Sequence, residues 1–350
     1  MRSRCLCILL FTMVAATPSA FAQQDRATTT NAAETQTGNS NQTGNINLPV
    51  STEKWGLPGD IKTGLEPRPP FLVQSDDRPE FVRDLFRLQW RAGDPIDVWL
   101  MRPKAAGKLP EKAPVILYLY SYDDTSDHFR DNEWCKRVTA DGYAAVGFVS
   151  ALTDYRFRNH GLSKWFVSEL AESLGSTTHD VQLILNFLAQ RGDIDMSRVG
   201  MFGLGSGATI AILAAQADAR ISTLDILEPW GDWPNWVSGS AIVPQEERSK
   251  YQSKEFLNSI AALDPVLYLP RLQTPNVRLQ LVLNGQITPP TARERIGAAT
   301  SLRATIVKYQ SPEDLFKAWQ TAGLSGWIKQ QLRPQSPRGT GDDRHAAKNE

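Results

Sequence analysis

The sequence predicts an α/β fold: a mostly parallel central sheet with helices on both faces, entered through an antiparallel hairpin. Three observations carry the prediction. Val115–Tyr120 (VILYLY) and Ala144–Val149 (AAVGFV) are short uninterrupted apolar runs of the kind found in strands buried on both sides. Such runs alternate along the chain with helical patterns, of which Val181, Ile184, Leu185 and Leu188, spaced three and four apart, are the clearest. The composition, 41% apolar and 22% charged over 350 residues, is that of a globular protein and excludes a wholly disordered, collagen-like or coiled-coil chain.

The elements follow in order. Leu85–Ala92 and Ile96–Met101 flank Gly93-Asp94 and read as the hairpin. The two apolar runs are strands. The Val181 pattern is a helix, with Thr177–Asp180 as a capping-box-like start and Gly192 as its stop. Arg198–Gly203 is a strand and Ala208–Gln216 a helix. Ile221–Leu227, Leu279–Leu283 and Ala304–Tyr309 are strands, and Leu324–Leu332 a closing helix. Crossovers between parallel strands are expected to be right-handed. There is no internal repeat.

Both ends differ from this body. Arg2 and Arg4 precede the apolar run Cys5–Ala16, and TPSAFA then offers Ala20 and Ala22 in the small-x-small arrangement of a cleavage site. This predicts a signal peptide over 1–22, cut after Ala22. The run is too short for a span, which needs about 20 apolar residues, and no membrane span is expected in the mature chain. A secreted or periplasmic protein follows. Removal of Cys5 and Cys7 leaves Cys135 alone, so no intramolecular disulfide is expected. Residues 23–50 are rich in Thr, Asn, Gln and Gly and read as a disordered linker. The proline-rich 51–80 reads as an extended arm, 81–332 as the folded domain, and 333–350 as a disordered tail. With 38 Lys and Arg against 38 Asp and Glu, the chain carries no electrostatic invitation to nucleic acid. No metal site and no cofactor are expected.

The centre of the body is Asp193–Ala215 (DIDMSRVGMFGLGSGATIAILAA), a strand, a glycine-rich turn and a helix. This resembles the nucleophile elbow of the α/β-hydrolase superfamily, the serine esterases and peptidases. The resemblance spans about residues 85–332, including the helix THDVQLILNFLAQRG, the late Ile287–Pro290 (ITPP) and the final helix with Trp327. It implies an α/β-hydrolase fold with a small lid insertion, here about 229–262. A dinucleotide fingerprint on Gly203, Gly205 and Gly207 fails, because position 208 is alanine and the motif lies far from the first βα unit.

The resemblance also implies a triad, and the residues depart from it at each point. Gly203 and Gly207 fit the flanking glycines, which places Gly205 where the nucleophile belongs. Ser206 is one residue late and reads as the opening of the helix, its hydroxyl near the N-terminal amides. The acid position, counted back from Thr288-Pro289, falls on Gly285, between the neutral Asn284 and Gln286. Glu228, at the end of the Ile221–Leu227 strand, is the substitute to consider, against a plain lid-loop carboxylate. A histidine is expected after the last strand, where the chain reads YQSPEDLF with Pro312, Glu313 and Asp314. Of the four histidines only His345, in the tail, follows the elbow. His179 reads as a surface residue, while His128 and His160 lie in loops within range of the pocket. The loop after VILYLY, Ser121-Tyr122-Asp123-Asp124-Thr125, brings two carboxylates where backbone amides would face a developing anion.

Trp230, Trp233 and Trp236 follow a strand's C-terminal end, the edge at which α/β sheets bind ligands. They read either as packing for the lid or, with Tyr122, Asp123 and His160, as pocket walls. Trp134 and Trp165 follow earlier strands on the same side. Tyr155–His160 (YRFRNH) reads as an exposed loop rather than an anion contact. The sequence therefore predicts an exported hydrolase-fold protein that has lost hydrolase catalysis and binds a small molecule or an envelope protein. The alternative is an active serine hydrolase using Ser206 with an unconventional base.

Overall fold

The computed structural model describes residues 68–333, except 92, 106–109, 123–125, 154–155 and 157–165. The expected signal peptide and linker, most of the arm and nearly all of the tail lie outside the described residues, as do Asp123, Asp124, Trp165, His160 and His345. Among the described residues nine strands form one sheet in the order β1-β2-β3-β5-β4-β6-β7-β8-β9. They are β1 Phe71–Asp77, β2 Phe81–Leu88, β3 Ile96–Pro103, β4 Ala113–Leu119, β5 Ala144–Gly147, β6 Ile194–Leu204, β7 Ile221–Leu227, β8 Asn276–Val282 and β9 Thr305–Tyr309. The pairings β1/β2, β2/β3 and β3/β5 are antiparallel. From β5 through β4, β6, β7 and β8 to β9 every pairing is parallel. This is the α/β-hydrolase fold, and β1 adds an antiparallel edge within the segment read as an arm.

The apolar runs work as expected because alternate residues feed opposite faces. Val115, Leu117 and Leu119 of β4 join one hydrophobic cluster, and Ile116 and Tyr118, with Tyr120 just beyond the strand, join the other. The first face is covered by α2 (Leu170–Ala189) and α3 (Ser206–Ala217). The second is covered by α1 (Asn132–Thr139) and the C-terminal end of the chain, whose Ile328 and Leu332 pack onto Gly200 of β6. A Cβ at Gly200 would lie 2.9 Å from Ile328 Cδ1, so the glycine sets how closely that end approaches the sheet.

Three local expectations are corrected. The α2 helix begins at Leu170, two turns before the supposed capping box. Thr177 and Thr178 turn their hydroxyls onto the carbonyls of Ser173 and Leu174, so the Thr-Thr pair is satisfied inside a helix rather than at its start. His179, read as a surface residue, is 2% exposed and stacks on Trp90. Beyond the elbow, the lid carries α4 (Trp233–Gly239), α5 (Arg248–Tyr251) and α6 (Lys254–Ile260), and α7 (Pro290–Ala299) follows β8. The chain then closes with two helices instead of one, α8 (Pro312–Ala322) and α9 (Gly326–Gln331), separated by Gly323 at φ +74°.

Candidate active site

The turn after β6 is sharp. Leu204 ends the strand, Ser206 begins α3, and Gly205 between them sits at φ +58°, ψ −120°. That conformation is one L side chains resist. It is held by a hydrogen bond from Gly205 N to Leu227 O on β7. The flanking glycines are required by close backbone approach. A Cβ at Gly203 would meet Gly207 O at 2.5 Å, and one at Gly207 would collide with the Leu119 and Tyr120 carbonyls of the neighbouring strand end. The backbone is thus that of an elbow.

The central position is different. A Cβ at Gly205 would lie 2.5 Å from Ser121 Oγ and 3.2 Å from Trp230 Nε1. The volume a nucleophile's side chain would enter is occupied by a serine from the end of β4 and by the first lid tryptophan. The sequence places Ser121 in the loop after β4 but gives no sign that it fills the space beside Gly205. Ser206 is fully buried in the first turn of α3. As expected it opens the helix, and its hydroxyl has no partner among the described residues.

Tyr122 stacks on Phe166 at 4.2 Å, and the aromatic contacts continue through Trp230 to Trp236 and Trp233. All three lid tryptophans are 1% exposed or less. The Thr209 hydroxyl on α3 donates to Trp230 O at 2.6 Å, fastening the lid's entry to the helix below the elbow. Trp134 lies on the other face of the sheet, where its N–H donates to Tyr120 OH at 3.2 Å. His128 packs edge-on against Tyr120 and lines a narrow crevice with Ser121, Ser150 and Thr153.

Glu228 stands at the C-terminal end of β7 with φ +48°, a strained conformation for a residue with a side chain. Its Oε1 accepts from Val282 N at 2.6 Å and lies 3.6 Å from Arg293 Nε. Burial pushes its pKa to about 7, against the pull of the Val282 amide and Arg293. A Cβ at Gly285 would lie 3.3 Å from Glu228 Oε2 and 3.4 Å from Arg293 Nη2. The space around the family's acid position therefore already holds a carboxyl group, delivered from the next strand. Arg293 ties this corner together by donating to the carbonyls of Leu283, Gly285 and Thr288. Where a histidine would stand, Ser311 instead caps α8, accepting from Asp314 N, and Glu313 is exposed. No cluster of His, Cys, Asp and Glu among the described residues could hold a metal ion.

The sequence profile of the X-Pro dipeptidyl-peptidases, the S15 family, matches residues 92–267, half of the chain. The chain belongs to the S15 peptidase family. The match takes in the elbow and the lid and ends before β8. Among solved structures, this S15 member is similar to an acetyl xylan esterase from Paenibacillus sp. R4, at 16% identity and TM-score 0.60 over 78% of this chain and 92% of that one. Acetyl xylan esterase 1 from Thermoanaerobacterium sp. JW/SL YS485 gives 14% identity and TM-score 0.61 over 79% and 92%. An acylaminoacyl peptidase from Pyrococcus horikoshii gives 15% and 0.57 over 73% of this chain and 43% of that one. At these identities the likeness is one of fold. A search of curated proteins gives no match.

Two buried groups give this S15 member a pH signature. Glu228 titrates above its ordinary value of 4.5, so its contribution to stability is full below 4.5 and is lost as pH rises through about 7. His179 is depressed by burial from 6.5 to about 4, so its contribution is full above 6.5 and is lost as pH falls toward 4. The two slopes oppose each other over nearly the same window. Glu228→Gln should make unfolding free energy rise from pH 4.5 to 7 relative to wild type, and His179→Asn should make it fall, each by about 2 kcal/mol. Urea titrations across that range read the effect, and parallel profiles for both variants would contradict it.

Proposed function

We propose that this S15 family member has lost hydrolysis at its elbow and works by binding, as an exported protein whose ligand is a small molecule or a protein of the cell envelope. The observation that carries the reading is Gly205: it offers no nucleophile, and Ser121 and Trp230 stand in the space one would use. Supporting it, the only histidine after the elbow is His345 in the polar tail. A serine at the elbow without a base gains little, since members of a triad act as a unit.

The test is direct. Purified mature protein should be left unlabelled by a fluorophosphonate probe and should not raise the hydrolysis of short acyl esters or X-Pro peptides above background. Stoichiometric labelling that disappears in Ser206→Ala would establish instead an active serine hydrolase with an unconventional base. Export has its own check: the protein recovered outside the cytoplasm should begin at Gln23.

A further inference from the structure

We propose that the β1 edge of the sheet binds a second copy of this chain: Phe71–Val73 of one protomer pairs antiparallel with Phe71–Val73 of its partner, joining the two sheets across a two-fold axis at Leu72. The inference stands apart from the reading of the elbow and does not depend on it.

Among the described residues β1 is the outermost strand, paired with β2 on one side only. Its other side presents main-chain donors and acceptors, a template for a further strand. Natural edges are ordinarily guarded by charge, and β9 at the opposite edge carries the exposed Lys308. The first half of β1 has no such guard. Phe71, Leu72 and Val73 are 66%, 48% and 42% exposed, and they make up half of the large apolar side chains that stand exposed among the described residues. Being consecutive, they form one patch rather than scattered exposures. Val73 is also the extra residue of a bulge, passed over by the β1/β2 register between Leu72 and Gln74, so its main chain is not committed to β2.

The occupant follows from sequence and charge. The chain just before β1 is unsuited to turn back as the missing strand, because Pro67, Pro69 and Pro70 have no amide hydrogen and a fixed φ. A second copy fits in one register. With the axis at Leu72, Phe71 faces the partner's Val73, Leu72 faces its own counterpart, and Arg68 faces the acidic end of the partner strand, Asp76-Asp77. Arg68 is exposed and has no side-chain partner among the described residues. Asp76 and Asp77 already pair with Arg83 and Lys104 of their own protomer, and a carboxylate accepts from several donors at once. Centring the pair on Gln74 instead would set Phe71 against Asp77 and Leu72 against Asp76, apolar against charged at each place.

Sedimentation velocity of the purified mature protein, from about 1 to about 200 μM, reads the association. A reversible monomer–dimer equilibrium is expected, with a Kd on the order of tens of micromolar, because a short edge pairing is smaller than a standard interface. Leu72→Asp sets two like charges against each other on the axis and should weaken the dimer at least about tenfold. Phe71→Glu, at the more exposed position, takes its place if that variant does not fold. Leu302→Asp, at an exposed residue just before β9, should change nothing, and unchanged urea midpoints show that each fold is intact. The axis has its own readout. Under mild oxidation Leu72→Cys should cross-link to its partner and Gln74→Cys should not, since cross-strand Cα atoms on the axis lie within about 6 Å and those two residues away lie roughly 13 Å apart. Cys135, the one cysteine of the mature chain, is buried and does not compete. A monomer throughout the range, a dimer indifferent to the β1 variants, one weakened as much by Leu302→Asp, or a cross-link at position 74 rather than 72 would overturn the proposal.

Discussion

Gly205→Ser, the change that would restore a nucleophile, is expected to lower the free energy of unfolding by about 3 kcal/mol. Two causes add. A serine must adopt φ +58°, ψ −120°, which only glycine takes without strain. Its Cβ must also displace Ser121 Oγ from 2.5 Å and crowd the Trp230 ring. The steric part depends on the neighbour, so the two sites should couple. In the Gly205→Ser background, Ser121→Gly should recover at least about 1 kcal/mol, although Ser121→Gly alone stabilises nothing. Urea unfolding of the four proteins of the cycle measures this. Strictly additive effects would mean that Ser121 does not occupy the nucleophile's place. The double variant should still fail to hydrolyse esters. Adding Gly285→Asp would not help, because the new carboxylate would face Glu228 beside Arg293.

The fold was legible in the sequence to the extent that local pattern and tertiary role agree. VILYLY is apolar at every position because β4 is buried on both faces, and the glycine frame at 203–207 marks an elbow because backbone packs against backbone there. What lay hidden depends on distant residues. The Thr177–Asp180 stretch has the composition of a helix start, yet α2 begins seven residues earlier, because tertiary burial of Leu170 and Leu174 outweighs a local cap. His179 and Asp180 look like surface polar residues and are buried because Trp90 covers one and bonds the other. The absence of a nucleophile could be read from one letter. That Ser121 and Trp230, 84 and 25 residues away, close over it could not. Nor did any signal single out Arg293, whose four contacts hold the corner around Glu228.

The largest single loss is expected at Arg156, in a stretch that reads as an exposed loop. Its neighbours 154–155 and 157–165 lie outside the described residues, but Arg156 itself is 1% exposed. Its guanidinium pairs with Asp94 at the tip of the β2–β3 hairpin and with Asp180 inside α2, and Trp90 Nε1 donates to the same Asp180 at 2.7 Å. Burial works against every charge in this group. For Asp94 the guanidiniums of Arg156 and Arg91 outweigh it and hold the carboxyl below its ordinary value, whereas for the deeper Asp180 burial wins. Removing the cation strands both carboxylates, so Arg156→Ala should cost about 4 kcal/mol at neutral pH. The sign with pH separates this from simple loss of packing. Without Arg156 both carboxyls should titrate higher in the folded protein than in the unfolded chain, so the deficit is greatest at neutral pH and shrinks as acid neutralises them. Replacing the whole group by Asp94→Asn, Arg156→Met and Asp180→Asn together should cost less than Arg156→Ala alone, because no charge is left buried and unpaired. Denaturant midpoints at about pH 5 and about pH 7.5 decide it. A deficit independent of pH, or a triple variant less stable than the single one, would show that Arg156 contributes by shape and not by charge.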